Sequence, residues 1–236
     1  MAPRRFPVVP WGQLLPNLMY HWDQGEHVLM LGRTGKGKTT LAISLLDERH
    51  KLRSTSCIIL ATKIRDEGLS NLTHRGWHII RSWPPNYEQR QSGKIIFWPQ
   101  YSLPSKSREE VGPALVEALD NLLLEGNWCV YIDEMAYLVQ TLGMRNLIDE
   151  YWNGARSNGI SLIAGNQRPV HVARSMLANQ TWAAVFRLPD LADRQRAGEI
   201  LGNKKLYTEI IGSLSGHQFF LLNSDSERGV ISQVEM

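Results

Sequence analysis

Cysteine is nearly missing from this chain, with two in 236 residues, Cys57 and Cys129. Both sit in apolar runs, SCIIL and WCVYI, and neither shares a metal-ligand spacing with histidine. Neither a disulfide framework nor a Cys–His metal site is expected, and a reducing, cytoplasmic setting is. Long apolar runs are missing too. No window holds eighteen consecutive apolar residues, and MAPRRF leads into prolines instead of a signal-type run, so no membrane segment is expected. A large excess of either charge is missing, and a net charge of +3 permits a nucleic-acid partner without requiring one. There is no internal repeat and no low-complexity segment.

What is present is apolar material for one sizeable core, at 43% hydrophobic residues. Residues 1–26 carry four prolines and little periodicity. They read as an irregular N-terminal arm ahead of a single domain over 27–236. HVLML is a short buried-strand run, followed by a glycine-rich loop and then KTTLAISLLDERH, whose Leu41, Ile43, Leu45 and Leu46 fit a helix packed on a sheet. SCIILAT, WHIIRSW and KIIFWP are further strand candidates. The loop PPNYEQRQSG is expected to lack regular structure because of its paired prolines and its glycine. Between 107 and 123 a helix is expected, with two competing starts: a capping box of Ser107 and Glu110, or Pro113. NWCVYIDE is a strand that runs into two carboxylates. Helices are expected near 144–157, ended by Asn158-Gly159, near 171–179 and near 190–201, with strands ISLIAG and WAAVFRL between them. HQFFLLNS and RGVISQV close the chain as a hairpin. Alternating buried strands and helices define an α/β fold, a mostly parallel sheet with helices on both faces and a C-terminal β-hairpin.

Gly32, Arg33, Thr34, Gly35, Lys36, Gly37, Lys38 and Thr39 spell GRTGKGKT, the G-x-x-x-x-G-K-[ST] pattern of a phosphate-binding loop, here set between a predicted strand and a predicted helix, with Thr40 next. Glycines let the backbone curl its N–H groups around phosphates, and the helix N-terminus adds its positive end. Lys38 is expected on the β and γ phosphates of ATP, and the Thr39 hydroxyl on Mg2+. In VYIDE, Asp133 is expected to meet the metal's water shell and Glu134 to polarise an attacking water as general base. An Asp-Glu pair after a strand otherwise marks a helix start. Ligands of such sheets bind beyond the carboxyl ends of the strands. The strand ending near Gly165 therefore aims Gln167 at the γ-phosphate or the water, where an amide can donate and accept at once.

Three stretches together, GEHVLMLG before the phosphate loop, a strand ending in Asp-Glu, and ARSNGISLIAGNQRP, resemble the FtsK–HerA superfamily of ring-forming, DNA-translocating ATPases, a branch of the RecA-like (ASCE) P-loop NTPases. The resemblance runs from about Gly25 to Pro169, and PDLADRQRAGEILG is similar to the stretch beyond the sensor strand in viral packaging members. It implies an ATPase that couples hydrolysis to movement of double-stranded DNA, a homo-oligomeric ring (hexamer or pentamer), and, for a viral packaging ATPase in the host cytosol, a portal or capsid-vertex partner. Conjugation and filamentous-phage assembly ATPases are the alternative within the superfamily. Outside it stand a nucleotide-gated assembly subunit that does not translocate and a small-molecule kinase, the latter disfavoured by a Glu and a Gln suited to water attack. Asn166 stands where the family usually has threonine, and Lys36 where serine is frequent. The family also implies an arginine given in trans to a neighbouring subunit's nucleotide. The matching position is Arg156, with Arg168 and Arg187 as rivals. Between 63 and 108 basic residues and Trp77, Trp83 and Trp98 are interspersed, and Lys63 and Arg65 are the candidates there for nucleic-acid contact.

Overall fold

The computed structural model describes residues 6–235. In chain order its elements are α1 (Trp11–His21), β1 (His27–Leu31), α2 (Lys38–Arg53), β2 (Ser56–Leu60), α3 (Glu67–Ser70), β3 (His78–Ile80), α4 (Tyr87–Ser92), β4 (Lys94–Phe97), α5 (Ser107–Glu110) and α6 (Gly112–Glu125). There follow β5 (Trp128–Ile132), α7 (Arg145–Gly154), β6 (Ser161–Asn166), α8 (Arg174–Asn179), β7 (Gln180–Phe186), α9 (Leu191–Ile200), α10 (Lys204–Ser213), β8 (Gln218–Asn223) and β9 (Arg228–Gln233). The strands form one nine-stranded sheet in the order β3-β4-β2-β5-β6-β1-β7-β8-β9. Pairings from β3 through β7 are parallel, and β7-β8 and β8-β9 are antiparallel. The expected mostly parallel sheet and C-terminal hairpin are both present.

Strand alternation divides the core in two. Leu29, Leu31, Ile58, Leu60, Val130, Ile132, Leu162 and Ala164 face one core with α6 and α7. Val28, Met30, Cys57, Ile59, Cys129, Tyr131 and Ile163 face the other with α1 and α2. Because both faces are covered, the central strands read as unbroken apolar runs.

Several local expectations are corrected. The stretch read as irregular holds α1, with Pro10 as its N-cap and Pro16 inside it. An interior proline costs a helix about 3 kcal/mol. Burial of Trp11, Leu14, Leu18 and Met19, at about 1.5–3 kcal/mol each, outweighs that cost. PPNYEQRQSG is not wholly irregular either. Asn86 accepts from the Gln89 amide and Gln89 accepts from the Asn86 amide, both at 2.9 Å, and this capping box starts α4 after the prolines have passed. At α6 the proline start prevails, with Pro113 in the first turn. Glu110 does not cap, because Ser102 donates to it from its backbone N–H at 2.6 Å and its hydroxyl at 2.8 Å. Two helices are shorter than expected, Arg145–Gly154 with a 3-10 turn to Asn158, and Arg174–Asn179. Helix α10 was not expected either; Asn203 caps it through the Leu206 amide at 3.0 Å, and Tyr207 and Ile211 bury its inner side.

Candidate active site

The carboxyl ends of β1, β2, β5 and β6 converge on one cleft of about 150 Å³, walled by the phosphate loop, Lys63, Asp133, Glu134 and Gln167. Strand parity explains the arrangement. Cys129, Tyr131 and Asp133 point to the face covered by α2, so Asp133 lies beneath the first turn of that helix. The loop is tied to the neighbouring strand by the Gly32 amide donating to the Asn166 carbonyl at 3.1 Å. Gly37, the N-cap of α2, has φ 104°, which an L side chain adopts only with strain.

Lys38 opens α2 and is buried, and its ammonium donates to the Gly32 carbonyl at 2.5 Å and the Arg33 carbonyl at 3.2 Å. Burial pulls its pKa down against the upward influence of Glu134 and Asp133. Asp133 is 4% exposed and fully engaged. Its Oδ1 accepts from the Thr39 hydroxyl at 2.9 Å and the Tyr131 hydroxyl at 2.8 Å, and its Oδ2 pairs with the Lys63 ammonium at 2.8 Å. Burial pushes this carboxyl up, but Lys63, Tyr131 and Thr39 together hold it below the usual range. Glu134 is the reverse. Burial raises its pKa, and the side-chain and backbone hydrogen bonds from Gln167 oppose the rise without cancelling it.

The donor set suits a magnesium ion. Thr39 and Asp133 offer adjacent hard oxygens, and among the described residues no cluster of three or more His, Cys, Asp or Glu side chains forms a cage. Mg2+ characteristically takes one or two protein oxygens and completes its shell with water and substrate phosphates.

Lys38, Thr39, Asp133, Glu134 and Gln167 are thus brought together, with Thr34, Gly35, Gly37 and Thr40 lining the same cleft. Arg33 and Lys36 line an adjoining cleft with Gln167 and Arg187. Arg156 is elsewhere. It lies in the exposed 3-10 turn before β6, and its backbone packs on Gly25 just before β1, so the length of β1, roughly 15 Å, separates it from its own phosphate loop. Arg168 is paired with Asp193 at 3.2 Å. Arg65 is exposed. Lys63, also exposed, lines the cleft and pairs with Asp133.

Two cleft residues, Tyr131 and Gly165, escaped the sequence reading, and Lys63 was read there only as a nucleic-acid candidate. Tyr131 carries a readable signal, since it precedes Asp133 by two and must share its face. Lys63 follows the end of β2 by three residues, and the strand-end rule would have placed it at the cleft. Gly165 carries none: a Cβ there would collide with the Asp133 carbonyl, a contact between separate strands.

No family model matches the chain. It is 26% identical over 178 residues to the DNA packaging ATPase P9 of Enterobacteria phage PRD1, covering 72% of this chain and 67% of that protein. Its fold is that of the DNA-packaging ATPase B204 of Sulfolobus turreted icosahedral virus, with TM-score 0.67, 17% identity, and coverage of 91% of this chain and 100% of that one. VirB4 of Thermoanaerobacter pseudethanolicus gives TM-score 0.67 at 12% identity, with 89% of each chain covered. A phosphate loop at the carboxyl end of β1, between strand and helix in a parallel sheet, makes the chain a P-loop ATPase. The PRD1 relative is a packaging ATPase by name, and the solved structures share the fold.

Proposed function

We propose that this ATPase moves double-stranded DNA into a viral capsid, working as a homo-oligomeric ring whose sites are completed by Arg156 of the neighbouring subunit. The observation that carries the reading is the placement of Glu134 against Gln167, beside Lys38 and Asp133, in one cleft. In this reading the loop amides and Lys38 hold the phosphates, and Thr39 and Asp133 hold the magnesium ion, which neutralises charge on the phosphate oxygens when bound. Glu134 takes the proton of the attacking water, and its raised pKa improves it as a base at neutral pH. Gln167 orients both the carboxylate and the water through its amide. A carboxylate held by a glutamine amide suits attack by water better than phosphoryl transfer to a bound alcohol.

Arg156 supports a ring because it stands on the sheet edge opposite its own cleft. An arginine so placed stabilises transition-state charge only in a neighbour. Arg65, exposed beside the cleft, remains a candidate for DNA contact. The PRD1 relative and B204 are both packaging ATPases by name, and this favours a capsid vertex or portal, in the host cytosol, as the docking site. The likeness to VirB4 keeps a conjugation-type ATPase as the second reading.

The test is steady-state ATP hydrolysis at fixed modest salt with no nucleic acid, with single-stranded DNA, and with duplexes of increasing length. Turnover that rises with duplex length is the expected result. Turnover indifferent to every DNA would replace translocation by a nucleotide-gated assembly role.

A further inference from the structure

Lys63 does more in this structure than line a cleft. Its ammonium lies 2.8 Å from Asp133 Oδ2 and 3.1 Å from Asp66 Oδ2, while the other Asp133 oxygen is filled by Thr39 and Tyr131. We propose that Lys63 is a resident counter-cation, occupying the place of the metal's charge on Asp133 until metal and nucleotide arrive together and exchange with it. This inference rests on the reading of the cleft as a magnesium–nucleotide site.

Three features carry it. A carboxylate as buried as Asp133 is costly without a cation, and Lys63 is the cation paired with it. A divalent ion on the same carboxylate would stand within a few ångströms of the ammonium, and the two charges repel. Metal therefore replaces Lys63 instead of joining it. The side chain is free to leave. It is 44% exposed and already shares Asp66, whose other oxygen caps α3 through the Leu69 amide at 3.1 Å. Its backbone is pinned where the Trp98 indole donates to the Lys63 carbonyl at 2.5 Å. Exchange is thus a swing of the side chain from Asp133 to Asp66 with the loop held in place. Free metal without phosphates is disfavoured, because the metal's charge and the nearby ammonium then share the cleft with no phosphate charge to offset them.

The experiment titrates Mg2+ against a fixed concentration of a non-hydrolysable ATP analogue and reads the half-saturating Mg2+ for binding to the full chain. Lys63→Met should need about tenfold less Mg2+ than wild type, since one competing charge is gone. Lys63→Arg should match wild type. Asp66→Asn keeps a capping side chain but removes the alternative seat, and should need more Mg2+. An unchanged or raised requirement in Lys63→Met overturns the exchange, as does Lys63→Arg behaving like Lys63→Met. If wild type binds no analogue at saturating Mg2+, the nucleotide-site reading fails and the exchange falls with it. That outcome is distinguished by every variant being silent.

Discussion

The two edges of the parallel sheet are built from the same strands and finished in opposite ways. At the carboxyl edge, charged and amide side chains line an open cleft: Lys63 on Asp133, Gln167 on Glu134, Lys38 folded onto its own loop. At the amino edge, polar side chains close on backbone. The Gln24 amide donates to the Gly159 carbonyl, Arg49 donates to the Trp22 carbonyl at 3.1 Å and to Gln24 Oε1 at 2.6 Å, and the Ser161 hydroxyl accepts from the Gly25 amide at 3.0 Å. Groups held by other mobile side chains can exchange them, and that makes one edge a site and the other a seal.

The largest expected effects lie at the carboxyl edge. Lys38→Ala removes the ammonium that reaches into the loop's own carbonyls, and should abolish nucleotide binding and lower turnover by about 10³-fold or more, read by analogue binding and phosphate release. Glu134→Gln should keep nucleotide binding and lose about 10²–10⁴-fold in turnover, which separates holding phosphates from activating water. Full turnover in Glu134→Gln would move the base elsewhere.

In the proposed ring, Arg156 would join the two edges across a subunit boundary. Arg156→Ala should be slower by about 10³-fold alone, yet regain activity when mixed with Lys38→Ala, because one subunit then supplies the loop and the other the arginine. A mixture as inactive as its components, or an Arg156→Ala protein with normal turnover, would hand the role to Arg168 or Arg187.

The smallest effect concerns pH and has opposite sign at the two edges. His27, at the start of β1, is buried and close to Arg156, and its pKa is lowered to about 4. Between its ordinary value near 6.5 and about 4 the unfolded chain binds the proton more tightly, so stability should fall as pH drops through that window, by up to about 3 kcal/mol. His27→Asn keeps an acceptor for the Leu162 amide and should flatten this slope in urea denaturation at pH 7, 5.5 and 4. Glu134 acts in the other direction. Its raised pKa favours the folded state below the ordinary carboxylate value and loses that contribution as pH rises through the folded value. Glu134→Gln should therefore gain melting temperature at pH 7, by about 2 °C, and not at pH 4.

Much of the carboxyl edge was legible because its signals are local. GRTGKGKT holds its chemistry within eight residues, VYIDE carries its carboxylates at the end of an apolar strand, and GNQRP puts Gln167 one residue beyond β6. Where a decision depended on partners far along the chain, sequence reasoning went astray. Proline-rich composition hid α1, which forms because Trp11, Leu14, Leu18 and Met19 find a core, and the basic composition around Lys63 gave no sign of its ion pair with a carboxylate seventy positions away.

The sequence by itself determined the strand–loop–helix of the phosphate site, the Asp133-Glu134 pair and the aim of Gln167, because side-chain period and loop conformation follow from neighbouring residues. Only the tertiary structure decided that Lys63 neutralises Asp133, that Gly165 must lack a Cβ where β6 passes the Asp133 carbonyl, and that Arg156 stands on the far edge from its own nucleotide site. Those facts depend on which strands lie side by side. That order, β2 beside β5 and β5 beside β6, is set by burial across the whole sheet and is written in no single stretch of the chain.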